Sequence, residues 1–222
     1  MAAAEATSGR TQSDALVAEA LRLNRRYLDE VVLAWDLCPW AEKALATGQV
    51  RQRVHLAASP APEDVLPFID ELDEVDEANE PGAAEIAIGL LIFPRLELRA
   101  PAFDAFAERV RRADHARRPD AATSPPSPTF LIAAFHPHAV SPPTFATPPQ
   151  LVSFVRRTPD PTLQLVRTSV LRRATGEGPR VSDDVTRRNF EAVRARGVEA
   201  LEAVLLDLRR DRDESYARLG VG

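Results

Sequence analysis

The chain has 222 residues, of which 45% are apolar and 27% charged, and carries a formal net charge of −5. That length suits one full-sized domain, and the composition is that of a globular protein rather than a disordered one. The acidic balance argues against a dedicated nucleic-acid binder, whose docking face is ordinarily basic, so no nucleic acid is expected as a partner.

Residues 1–12 are small and polar and read as a disordered lead; they lack the cationic start and apolar stretch of a signal peptide. Ser13 is suited to cap a helix carrying Leu16, Ala20, Leu23, Tyr27, Val31 and Ala34 on one face and ending near Trp35. Pro39 disfavours helical geometry at Cys38, which places that cysteine at a helix exit or turn. Residues 50–57 alternate as a strand does. Residues 62–76, with Val65, Phe68, Ile69, Leu72 and Val75, predict an acidic amphipathic helix. Residues 85–93 read as a strand buried on both faces. The apolar run inside it is far shorter than the ~20 residues of a membrane span, so no membrane association and a cytoplasmic location are expected.

A helix is predicted over residues 101–112, with Phe103, Phe106 and Val110 inward, and a third buried strand over 129–135. Nine prolines between Pro119 and Pro149 predict stiff surface loops at 117–128 and 137–149, in preference to a flexible linker or a polyproline ligand segment. Asp160-Pro161 has the form of a helix start, with Leu163, Val166 and Val170 as the buried side. Gly176-Glu177-Gly178 reads as a turn between helices rather than a phosphate-binding loop. Ser182 opens a further helix that Gly197 closes or kinks. Val198, Leu201, Val204, Leu205 and Leu208 mark a last amphipathic helix, whose stripe is either core or the face of a homodimer. The expected architecture is α/β: a three-stranded β-α-β-α-β core sheet, at least partly parallel, flanked by N- and C-terminal helices. It forms one domain over residues 13–215, followed by a tail at 216–222.

Three places carry candidate chemistry. Cys38 is the only cysteine, which excludes an intrachain disulfide and a cysteine zinc cluster. Its thiol is a candidate nucleophile, redox group or metal or haem ligand, against the plainer reading of a small buried hydrophobe. His136 directly follows the strand at 129–135, at the sheet end where open α/β sheets gather ligands. It is a candidate general acid or base, while His138 is a weaker candidate. Arg156, Arg157 and Thr158 lead towards Asp160-Pro161, where arginine forks suit a carboxylate or phosphate. Lys43 is the only lysine, so arginine supplies nearly all the positive charge.

Leu37-Cys38-Pro39-Trp40, Phe135-His136-Pro137, Arg157-Thr158-Pro159-Asp160-Pro161 and Arg188-Asn189-Phe190 together resemble the bacterial family called domain of unknown function 1415. That family's pattern reads Leu-Cys-Pro-Phe-Ala, Phe-His-Pro, Asn-Arg-Ser-Pro-x-Pro-x-x-His-x-x-Arg-Glu and Arg-Asn. The resemblance spans about residues 27–197 and implies site roles for Cys38, His136, Arg157, Thr158, Arg167, Arg188 and Asn189. The chain departs from the pattern at Arg156, Gln164 and Thr168, where the family shows Asn, His and Glu. The resemblance implies no particular reaction and no particular cofactor.

The leading expectation is a small-molecule enzyme for an anionic substrate, a carboxylate or phosphate. Cys38 and His136 would be its catalytic residues, and Arg156, Arg157, Thr158, Arg167, Arg188 and Asn189 its substrate-binding residues, with no metal ligand assigned. One alternative is a metal- or haem-binding protein using Cys38 with His136. Another is a non-catalytic binding or scaffold protein that has lost the family's His and Glu.

Overall fold

A computed structural model describes residues 2–77, 86–117, 129–139, 147–175 and 180–221. Helix α1 (Ala2–Tyr27) runs well ahead of the cap expected at Ser13. It lays Leu16, Ala20, Leu23 and Tyr27 inward and passes directly into a π-helical turn, Leu28–Leu33. The chain leaves that turn through Asp36, which has a positive φ of 51°, and reaches the short helix α2 (Ala41–Ala46). Cys38 therefore lies at a helix exit, as Pro39 predicts.

Strand β1 (Val50–Val54), helix α3 (Leu66–Glu77), strand β2 (Ile88–Ile92), helix α4 (Ala100–Ala116) and strand β3 (Phe130–Phe135) follow in the expected order. The sheet nevertheless has four strands rather than three. Strand β4 (Thr162–Arg167) lies between β2 and β3 in the order β1-β2-β4-β3. Strands β1 and β2 are parallel, and β4 is antiparallel to both β2 and β3, so β1, β2 and β3 share one direction.

The helix expected from Asp160 onward is thus a strand. Leu163 and Leu165 are fully buried on one face, and Gln164 and Val166 share the other with Ile88, Leu90, Leu131 and Ala133. This is the period of two that burial on both faces hides within a nearly continuous apolar run. The Asp160 carboxylate caps no helix; it accepts hydrogen bonds from Tyr216 Oη at 2.6 Å and Arg212 Nε at 2.8 Å.

A second difference concerns the proline-rich stretch expected as loop to residue 149. Pro148 and Pro149 open helix α5 (Pro148–Val155), with Thr147 and Gln150 closing a capping box. The loop stretches 118–128 and 140–146, and the glycine turn at 176–178, lie outside the described residues. Helix α6 (Thr168–Thr175) continues straight from β4, and α7 (Arg180–Arg196) meets α8 (Val198–Arg218) at Gly197, whose φ of 98° only glycine adopts readily.

Each sheet face carries its own core. Helices α3 and α4 cover one face, packing Phe68, Leu72, Phe103 and Phe106 on Leu91, Leu163 and Leu165. On the other face α1, the π-turn, α5, α7 and α8 gather Tyr27, Val31, Phe154, Val193 and Leu205 over Ile88 and Leu90. The stripe of α8 is core: Leu201, Leu205 and Leu208 are buried within the chain. Tyr216, expected in a tail, is buried against Leu16 and Leu23. Among the described residues no helix is long and apolar enough to cross a membrane.

Candidate functional site

The second sheet face is incompletely filled. Between its β3–β4 half and the covering helices lies a cavity of about 610 Å³. Its floor carries Leu131, Ala133, Phe135, Gln164 and Val166, and its walls come from the π-turn and Cys38 loop, α5, α6 and α7. Cys38, Arg156, Gln164, Thr168, Arg172 and Asn189 are among its polar lining, and no Asp, Glu or His lines it among the described residues.

The backbone leading into Cys38 is unusual, with a π-helical turn and then a positive φ at Asp36. The π-turn ends at Leu33, three residues before Asp36, and α7 holds that corner. Arg188 donates to the Asp36 carbonyl at 2.9 Å and to its carboxylate at 2.6 Å, and Asn189 Nδ2 donates to the Leu37 carbonyl at 2.8 Å. Arg196 reaches the Ala34 carbonyl and lays its guanidinium 4.1 Å from the Trp35 ring centre. Arg188 and Asn189 thus position the Cys38 turn, and Asn189 also lines the cavity. Burial pushes the Cys38 thiol above its ordinary pKa, against the opposing pull of the Trp40 and Ala41 backbone amides and of Arg188. The thiol is therefore neutral at physiological pH.

Arg156 follows the last turn of α5. Its carbonyl accepts the amides of His136 and Thr158, while its side chain enters the cavity with the guanidinium 5.5 Å from the centre of the Phe135 ring. Burial lowers its pKa, with Asp104 pulling the other way from a distance. Among the described residues it has no salt-bridge partner. A guanidinium keeps its proton in such a place, so the cavity holds a poorly compensated positive charge.

The other residues singled out by sequence lie elsewhere. His136 lines a separate crevice of about 510 Å³ with Leu98, Arg99, His138, Arg209 and Arg212. Its Nδ1 accepts the His138 amide at 3.0 Å, and its Nε2 donates to the Leu98 carbonyl at 2.9 Å. Both ring nitrogens are engaged, and burial lowers its pKa. Arg157 turns away from Arg156: its guanidinium sits 4.8 Å from the Phe154 ring centre and 3.8 Å from Glu202. Thr158 is buried and donates to the Asp160 carbonyl at 2.6 Å. Arg167 is 5% exposed, and it donates to the Ile86 carbonyl at 2.9 Å and the Leu72 carbonyl at 2.7 Å, tying β4 to the middle of α3. No group of three or more His, Cys, Asp or Glu side chains able to hold a metal occurs among the described residues.

Of the expected site, then, the cavity unites Cys38, Arg156 and Asn189; it leaves out His136, Arg157, Thr158, Arg167 and Arg188. It adds Gln164 and Thr168, which sequence reading notes only as departures from a pattern. The alternation of β4 is the signal that aims Gln164 at the same space as Cys38, once residues 162–167 are read as a strand.

A model of the family described as protein of unknown function (DUF1415) matches residues 19–203, most of the chain. No curated protein and no solved structure matches it.

Proposed function

The chain belongs to the DUF1415 family, and we propose that it binds a small amphiphilic carboxylate in the cavity lined by Cys38, Arg156 and Gln164. The observation that carries this reading is the Arg156 guanidinium, half-buried in a largely apolar space with no salt-bridge partner among the described residues. Holding a charge away from water is costly, and a ligand anion offsets that cost with forked hydrogen bonds. The walls favour an apolar body, since Leu131, Ala133, Leu151, Val155 and Val170 face the same space. Of the two arginines in the lining Arg172 is exposed to water and Arg156 half-buried; one partly desolvated guanidinium matches the single charge of a carboxylate better than the double charge of a phosphate.

Binding is favoured over acid–base catalysis, because among the described residues the lining offers no carboxylate or imidazole to move a proton. The three departures from the family pattern support this: Arg156, Gln164 and Thr168 all line the cavity, and there His and Glu would be ionisable where Gln and Thr are not. Any covalent step would fall to Cys38, whose neutral thiol needs activation first.

Undecanoate and 1-undecanol, titrated calorimetrically against the wild-type chain and Arg156→Met, test the reading. Undecanoate should bind the wild type about tenfold or more tightly than the alcohol does, and Arg156→Met should erase that difference, as expected for a charged hydrogen bond out of water. Equal binding of acid and alcohol by the wild type would overturn it.

A further inference from the structure

Gln164 stands at the middle of β4, and its partners directly across the sheet are Leu90 on β2 and Ala133 on β3. Its chain neighbours Leu163 and Leu165 are fully buried on the opposite face. The side chain is thus a single primary amide on an otherwise apolar stretch of cavity floor. It is half-buried, and no hydrogen bond joins it to another described residue. The alanine beside it leaves open space above the strand.

An amide carries two donors and a strong acceptor, and leaving them unmet away from water is costly. Water can meet them while the cavity is empty. A ligand that displaces this water must replace its hydrogen bonds or lose affinity. A plain hydrocarbon chain running from Arg156 across the floor would strand the amide; a chain bearing its own donor and acceptor would satisfy it.

We infer that Gln164 is a specificity-determining residue that reads an amide in the body of the ligand. The ligand class is then an N-acyl amino acid: an apolar acyl tail, an amide over Gln164 and a carboxylate at Arg156. This rests on the cavity being the carboxylate site proposed above, and adds a second polar contact to it.

N-octanoylglycine and undecanoate are matched in chain length and end in the same carboxylate; they differ in the amide. Both are titrated against the wild-type chain, Gln164→Leu and Gln164→Met, the two substitutions being apolar and close in size, with thermal melts to verify folding. The wild type should prefer N-octanoylglycine about tenfold, the worth of two modest hydrogen bonds. Both variants should abolish or invert that preference while still binding undecanoate. A fold defect would weaken both ligands alike and leave their ratio unchanged, so the ratio is the diagnostic quantity. Undecanoate binding that needs Arg156 but comes with no preference for N-octanoylglycine, or with one that survives both variants, would overturn the role of Gln164 alone. Failure of both ligands to bind the wild type would overturn the carboxylate site and this inference together.

Discussion

His136 and Cys38 show how two residues with similar promise in the sequence part company in the fold. The imidazole gives one ring nitrogen to the Leu98 carbonyl and the other to the His138 amide, so it ties the segment before α4 to the end of β3. Its folded pKa lies below the ordinary value because burial disfavours the cation, with His138 adding to the effect and the Leu98 carbonyl and Asp104 opposing it. Between the folded and unfolded pKa values the unfolded chain binds more protons. The contribution of His136 is therefore complete above about pH 6.5 and is lost as pH falls through the folded value. The stability of His136→Gln, followed by urea melts from pH 7.5 to 5, should fall less steeply on acidification than that of the wild type; parallel slopes would show that the imidazole does not titrate on unfolding. Cys38 keeps the role of a cavity group. Its alkylation by iodoacetamide should rise with pH to a midpoint above that of an ordinary thiol, and saturating undecanoate should slow it. A midpoint below the ordinary thiol value would mean that the amides of Trp40 and Ala41 outweigh burial.

At the scale of elements, periodicity marks segments well where one face meets water and poorly where none does. The amphipathic patterns of α3, α4 and α8 are plain in the sequence, as is the apolar run of β2. Strand β4 is not, because Leu163, Val166 and Val170 also satisfy helical spacing and Asp160-Pro161 imitates a cap. What decides the matter is pairing with β2 and β3, a contact between distant parts of the chain that local spacing does not encode. The same limit hides Gln164, whose position in the cavity follows only from the strand assignment. The packing of α3 on the sheet has its own signature at Gly89 of β2. A Cβ there would lie 2.5 Å from Leu72 Cδ1 and 3.2 Å from the Phe68 ring, both in the core. Gly89→Ala gains up to about 1 kcal/mol from the stiffer unfolded chain, but overpacking a filled core costs about 1–3 kcal/mol. Net destabilisation is expected in denaturant melts, and a more stable variant would show that Leu72 can move aside.

At the scale of the whole molecule, helix α8 joins the two ends of the chain to the segment that delivers Arg156. Its Asp207 and Asp211 pair with Arg22 and Arg26 of α1, and its last turns hold Asp160, four residues beyond Arg156. Sequence marks the apolar stripe of α8 but leaves open whether it serves the core or a second copy, because a stripe does not name what it packs against. Its far end is less legible still: Tyr216 looks like the start of a tail, yet its hydroxyl donates to a carboxylate that is only 2% exposed. Burial raises the pKa of Asp160, and Arg212 and Tyr216 pull it back down by binding the charged form. Removing the hydroxyl in Tyr216→Phe keeps the ring against Leu16 and Leu23 but leaves one lobe of the carboxylate without a donor. The expected cost near neutral pH is about 1–3 kcal/mol, the range for a buried charged group losing one hydrogen bond. The sign of its pH dependence follows from which form of Asp160 needs the donor. Only the ionised carboxylate leans heavily on Tyr216, so the deficit relative to wild type should narrow as pH falls into the range where Asp160 takes up its proton. A deficit that stays constant from pH 7 to 4 would assign the loss to packing around Tyr216 and not to the carboxylate it binds.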